Sequence, residues 1–154
     1  MKKLNIRFEE DRTLDGIEVI VRASERDAEV AALLDGIAGK TPDLLTVNDF
    51  EGALLKIPVS DIILVSVDGK TVQIVTEKNR YTLRTALQSL EEKLESRRFA
   101  RISRYEIVNL DKVLKFDFTL AGTLRLELAG GMETWASRRN IPTIRKKLMN
   151  RESV

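Results

Sequence analysis

The chain has 154 residues, 43% hydrophobic and 32% charged, the balance of an ordinary globular protein with one compact domain and at most a modest extension. Cysteine and histidine are both absent, which excludes disulfides, thiol nucleophiles, Cys/His zinc sites and a Ser-His-Asp triad. The formal net charge of +2 hides an asymmetry: residues 1–96 hold 13 Lys and Arg against 18 Asp and Glu, and residues 97–154 hold 13 against 6. A basic half of this kind points to a polyanionic partner, although basic tails also occur on proteins that bind none.

At the N-terminus, MKKLNIRFEEDR carries acidic residues where a signal peptide needs its apolar core. No apolar run approaches the roughly 20 residues that cross a bilayer. The expectation is a cytoplasmic protein that is not itself a membrane protein. Residues 3–9 (KLNIRFE) alternate apolar and polar, and residues 17–21 (IEVIV) form a β-branched run, so both read as strands. Ser24 is a candidate N-cap, with Asp27 three residues on, for a helix over 25–37. Val30, Leu33, Leu34 and Ile37 share one face of it. Gly36 and Gly39 end this β-β-α element, and residues 40–42 read as a linker.

From Leu44 the texture changes to short strands and turns. Strands are expected over 44–48, 52–56, 62–67, 71–76 and 80–83, with Pro58 interrupting between 52–56 and 62–67 and Asp68-Gly69 as a hairpin turn. Leu87, Leu90 and Leu94 recur at helical spacing, so a helix over 85–96 packs along the sheet. Further strands are expected over 100–102, 107–108, 113–118, 123–128 and 133–136. Ala121-Gly122 and Gly130-Gly131 mark turns. A last helix over 140–148 has Pro142 in its first turn, where proline is tolerated. The fold class is α+β and β-rich.

Residues 99–113, FARISRYEIVNLDKV, precede a hairpin and then ASRRNIPTIRKKL at 136–148. This arrangement resembles the LytTR DNA-binding domain family, in which a strand ending in I-V-N-L-[DN]-K is followed by a hairpin and an S-R-R motif. Residues 57–94 are similar to the same family's opening hairpin and helix. The resemblance covers about two-thirds of the chain and implies an elongated arrangement of small antiparallel β-sheets with one packed helix. It divides the chain into a leader, 1–43, and a DNA-binding domain, 44–154. The leader is too short for the five βα units of a receiver domain and resembles that of stand-alone bacterial regulators. A role in dimerisation or regulation is expected of it.

The resemblance also implies a sequence-specific transcriptional regulator, not an enzyme, that contacts double-stranded DNA through strand-connecting loops. No cofactor or metal is expected. Partners would be promoter DNA, a second copy in a homodimer, and a small membrane protein of the kind encoded beside such regulators. Matched residue by residue, the loops carry Lys70 and Thr71, then Ser103 and Arg104, then Ser137, Arg138 and Arg139. Arg104 and Arg139 are the expected base readers, because a guanidinium can bind guanine O6 and N7 bidentately. The others position the backbone. Ser103 stands where many relatives carry histidine, and Val65 and Ser66 replace an acidic residue common before the first loop. Glu106 is a carboxylate near the expected DNA face, so it either points away or orients Arg104.

Several residues carry a second reading. Arg101, inside a strand motif, could face DNA or form a structural ion pair. Asn109 is expected to satisfy backbone groups at a strand end, and Trp135 to be core or half-buried. The cluster Arg145-Lys146-Lys147 and the pair Arg97-Arg98 could be solvated helix or loop surface or could meet phosphates. An RNA-binding or other β-rich interaction module is the alternative function. It needs exposed aromatics for base stacking, and the aromatic fraction is only 5%. An enzyme built on carboxylates such as Asp61 and Asp68 finds no paired constellation to support it.

Overall fold

The computed structural model describes residues 3–38, 43–96, 98–118 and 122–152. The chain divides into two units, 1–41 and 42–154. Gly39, the linker residues 40–42, Arg97 and the turn residue Ala121 lie outside the described residues.

In the N-terminal unit, α1 (Ala28–Ile37) begins three residues later than its sequence suggests. Asp27 is the N-cap, its carboxylate accepting from the Val30 N–H at 3.0 Å. A carboxylate there satisfies an otherwise orphaned donor and lies at the positive end of the helix dipole. The strands expected over 3–9 and 17–21 are not formed: residues 3–27 contain neither strand nor helix. Alternation makes a segment competent to pair, but a strand exists only when a neighbour completes its ladder.

The second unit is built of antiparallel strands. β1 (Leu44–Asn48), β2 (Leu54–Pro58), β3 (Leu64–Asp68), β4 (Thr71–Val75) and β5 (Arg80–Leu83) lead to α2 (Leu87–Lys93). Then follow β6 (Phe99–Arg101), β7 (Glu106–Asn109), β8 (Val113–Asp117), β9 (Leu124–Leu128), β10 (Glu133–Ala136) and α3 (Ile141–Glu152). Among the described residues, seven strands form one sheet in the order β2-β1-β5-β4-β3-β7-β6, and three form a second, β10-β9-β8. The β1–β2 hairpin joins its neighbour through the single pair Asn48↔Thr82, so the large sheet is itself two smaller ones meeting at a point.

Pro58 separates β2 from β3, as its sequence suggests. It closes β2, paired with Leu44 on the outer edge of the sheet, where a missing N–H breaks no ladder. Asp68 pairs with Thr71, leaving Gly69-Lys70 as a two-residue loop with Gly69 at φ 62, the backbone such hairpins require of their first loop residue.

Alternation along the strands places the sheet between two cores. Phe99 and Ile107 face one, with Val65, Ile74 and the α2 residues Leu87 and Leu90. Their neighbours Ala100 and Val108 face the other, with Leu124, Leu126 and Leu128 of β9 and Ile144 of α3. The second sheet and α3 are thereby fastened to the β6–β7 hairpin. Asn109 sits at the end of this hairpin, only 1% exposed. Its amide donates to the Ile62 carbonyl at 2.8 Å and accepts from the Asp111 N–H at 3.0 Å. It satisfies backbone groups at a strand end, as its sequence position suggests.

Candidate nucleic-acid interface

Two registers bring the three loops to one end of the large sheet. Ser66 pairs with Glu106 across β3 and β7, and the Val67 N–H donates to the Tyr105 carbonyl at 2.9 Å. The loop Gly69-Lys70 and the loop 102–105 therefore project side by side. Ser137, directly after β10, donates its N–H to the Ile102 carbonyl at 2.7 Å, which docks the third loop on the second.

Arg101 shapes the loop 102–105. Its guanidinium donates to the Ser103 carbonyl at 2.8 Å and the Arg104 carbonyl at 3.0 Å, and pairs with Glu91 of α2 at 2.7 Å. One planar fork thus gathers two loop carbonyls and a helix carboxylate. Ser103 Oγ accepts from the Tyr105 N–H at 3.1 Å, closing the turn from inside. The third loop is held similarly: Ser137 Oγ accepts from the Asn140 amide at 2.6 Å. In the first loop, the Thr71 hydroxyl donates to the Asp68 carbonyl at 3.0 Å, and Lys70 is exposed.

Arg104 and Arg139 line one cavity of about 600 Å³, together with Ser103, Ser137, Asn140 and, from α2, Gln88. Lys70 and Thr71 share that end of the sheet but not the cavity. Arg138 goes elsewhere: its Nε points to the Gly122 carbonyl in the β8–β9 turn, at 3.4 Å. A side chain at Gly122 would collide with this guanidinium, and its φ of 74 suits glycine. Adjacent arginines in the sequence therefore face different surroundings.

Ion pairing separates the remaining basic residues. Arg98 pairs with Asp111 at 3.0 Å, and Arg125 pairs with Glu133 and with Glu127 at 3.1 Å. Arg145 lies over the Phe118 ring, 4.0 Å from its centroid. Lys147 donates to the Phe99 carbonyl at 2.8 Å, and burial pushes its ammonium below the ordinary lysine value, with Glu91 pulling the other way. Arg104 and Arg139 are exposed and make no ion pair among the described residues. Glu106 accepts from the Thr134 hydroxyl at 3.1 Å, so of its two sequence readings it takes the one in which it leaves Arg104 alone. Trp135 is 49% exposed on β10.

The sequence reading missed the roles of Gln88, Glu91 and Asn140, and left that of Arg101 open. Glu91 and Arg101 sit on different elements, so no spacing announces their contact. Asn140 lay three residues after Ser137, a local signal that capping patterns could have caught.

Comparison with known proteins adds a family. The model of the LytTr DNA-binding domain matches residues 52–149. A Staphylococcus aureus protein (strain NCTC 8325) described as an HTH-type transcriptional regulator is 28% identical over 148 residues, 96% of this chain and 99% of its own length. Its counterpart in the bovine strain RF122 is 27% identical over the same shares. Among solved structures, a LytTr DNA-binding domain from Bacillus cereus superposes with a TM-score of 0.64 at 22% identity, covering 71% of this chain and 98% of that one. This last likeness is one of fold.

Proposed function

The chain belongs to the LytTR family of DNA-binding domains, and from that premise we propose that it is a cytoplasmic, homodimeric transcription regulator reading promoter DNA in the major groove through strand-connecting loops. The observation that carries the reading is the pair Arg104 and Arg139: exposed, without a carboxylate partner among the described residues, and lining one cavity on loops braced from behind. Rigidly presented guanidinium forks are the groups that discriminate guanine, at ~1–3 kcal/mol for each bidentate contact.

The other loop residues serve the backbone. Ser103 and Ser137 each use Oγ as an acceptor within their own loop, which leaves the hydroxyl hydrogen to donate to a phosphate. Lys70 and Arg138 supply charge, and Thr71 holds the turn that presents Lys70. The Staphylococcus aureus relatives are named as transcriptional regulators, which supports the regulatory role. Their helix-turn-helix label does not transfer: among the described residues the three α-helices are separated by strands, and none follows another directly. No helix among the described residues is long and apolar enough to cross a membrane. The limited surface that a single small module buries on DNA supports the homodimer reading, since two modules on a repeated site bind more tightly than one.

Fluorescence anisotropy with the DNA upstream of the protein's own gene tests the reading. Arg104→Ala and Arg139→Ala should each weaken specific binding by about 10- to 100-fold with little change in salt dependence. Arg138→Ala should instead lower the salt slope by about 1. Binding no tighter than to scrambled duplex, and indifferent to both base-reading substitutions, would sink it.

A further inference from the structure

The N-terminal unit displays apolar side chains in a strand's alternation without a strand's partner. Leu4, Ile6 and Phe8 alternate with Lys3, Asn5, Arg7 and Glu9, and Ile6 and Phe8 are each 87% exposed. Ile17 and Val19 repeat the pattern, and no residue of α1 is buried. A cluster of uncovered apolar side chains on a soluble protein marks an interaction surface.

We infer that residues 3–9 pair antiparallel with the same residues of a second copy, across a two-fold axis through Ile6. The inference rests on the homodimer reading above and names the surface that makes it. The register is legible in the residues themselves. With Ile6 opposite Ile6, Leu4 meets Phe8 on the apolar face, while Lys3 meets Glu9 and Asn5 meets Arg7 on the polar face. The Lys3–Glu9 ion pair and the Asn5–Arg7 polar pair each occur twice, as a self-complementary interface demands. Other registers lose this match. A slip of two residues sets Lys3 against Arg7 in one direction, and Arg7 against Arg7 with Leu4 against Glu10 in the other. A slip of one residue sets every apolar side chain against a polar one. Lys3 and Glu9 complement each other across the axis, with Glu9 also paired to Arg7 of its own segment, which is why a second copy, not an unrelated strand, is the occupant.

Two strands alone are only marginally stable in water. Residues 17–21 supply the outer strands. They are unpaired with residues 3–9 in the single chain. Laid antiparallel beside them once the second copy has ordered that segment, they bring Ile17, Val19 and Val21 opposite Phe8, Ile6 and Leu4, with Glu18 opposite Arg7 and Ile20 opposite Asn5 on the polar face. The dimer then has a four-stranded sheet with one continuous apolar face.

The test is sedimentation of the full chain without DNA. Lys3→Glu sets carboxylates against each other at both ends of the pair, and Glu9→Lys does the same with ammonium groups. Each should raise the dimer dissociation constant about tenfold. Mixed together, the two variants should associate as tightly as the native chain, because every opposite-charge pair re-forms between unlike copies. A native chain that stays monomeric at high micromolar concentration overturns the proposal, as do single variants that dimerise normally or a mixture no tighter than its components. Because the chain has no cysteine, Ile6→Cys adds one thiol per copy, and mild oxidation should cross-link it across the axis. Asn5→Cys, facing Arg7, should not cross-link, and equal behaviour of the two also overturns it. A chain that fails these tests yet distinguishes its own upstream DNA from scrambled duplex keeps the DNA-reading function and loses this interface. One that passes them without sequence preference keeps the interface and loses that function.

Discussion

The Ser137 N–H donates to the Ile102 carbonyl at 2.7 Å, and this bond ties the end of β10 to the end of β6, two strands of different sheets. It sets where Arg139 stands relative to Arg104. Ser137 has φ −68 and follows a strand residue, so proline fits its backbone while removing the donor. Ser137→Pro should cost about 1–2 kcal/mol of stability and weaken specific DNA binding more than Ser137→Ala, which keeps the N–H. Urea unfolding and anisotropy measure the two effects. Equal DNA affinity for both variants would show that the bond does not align the loops.

Arg101 is a positioning residue, engaged with Glu91 and two loop carbonyls. Arg101→Ala should lower specific DNA affinity by about tenfold and leave the salt slope unchanged, because no phosphate contact is lost. Arg101→Lys should restore little, since an ammonium lacks the planar fork that spans three acceptors. A drop in salt slope for Arg101→Ala would place this side chain on DNA instead.

Asn109 joins the end of β7 to the Ile62 carbonyl from within the protein. Asn109→Leu leaves that carbonyl and the Asp111 N–H without their side-chain partner. The expected loss is about 1–3 kcal/mol, read as a lower urea midpoint. An unchanged midpoint would mean that the two backbone groups find other partners.

Lys147 gives the stability a specific pH dependence. Burial lowers its pKa from the ordinary 10.5, so the unfolded chain holds this proton more tightly than the folded one. The contribution of Lys147 to stability therefore rises with pH through the window between its lowered folded value and 10.5, and the cost of burying the charge is fully present below that window. Urea midpoints across this window should climb for the native chain relative to Lys147→Met. Parallel pH profiles for the two proteins would contradict this.

Much of the second unit was legible in local patterns. Strands β1, β5 and β10 have the bounds their sequences suggest, and Asp68-Gly69 marks its hairpin, because alternation and turn chemistry act over neighbouring residues. Pro58 separates β2 from β3 as its sequence suggests, but β2 runs on to Pro58 itself and not only to Lys56, because nothing local tells an edge strand from a central one. The leader was misread for a related reason: residues 3–9 and 17–21 have strand patterning, but pairing is a relation between segments.

The basic half of the chain is more selective in the folded protein than its charge count implies. The sequence by itself determined that residues 97–154 are basic, that the motifs around residues 99–113 and 136–148 belong together, and which arginines to consider. Only the tertiary structure decided among them. It spent Arg98, Arg101 and Arg125 on carboxylates, turned Arg138 toward Gly122, and left Arg104 and Arg139 exposed on one cavity. The physical reason is distance. A charge is written in the chain, but whether it is neutralised depends on which carboxylate the fold brings within a few ångströms, and Glu91, Asp111 and Glu133 reach their arginines only once the sheets and α2 have assembled.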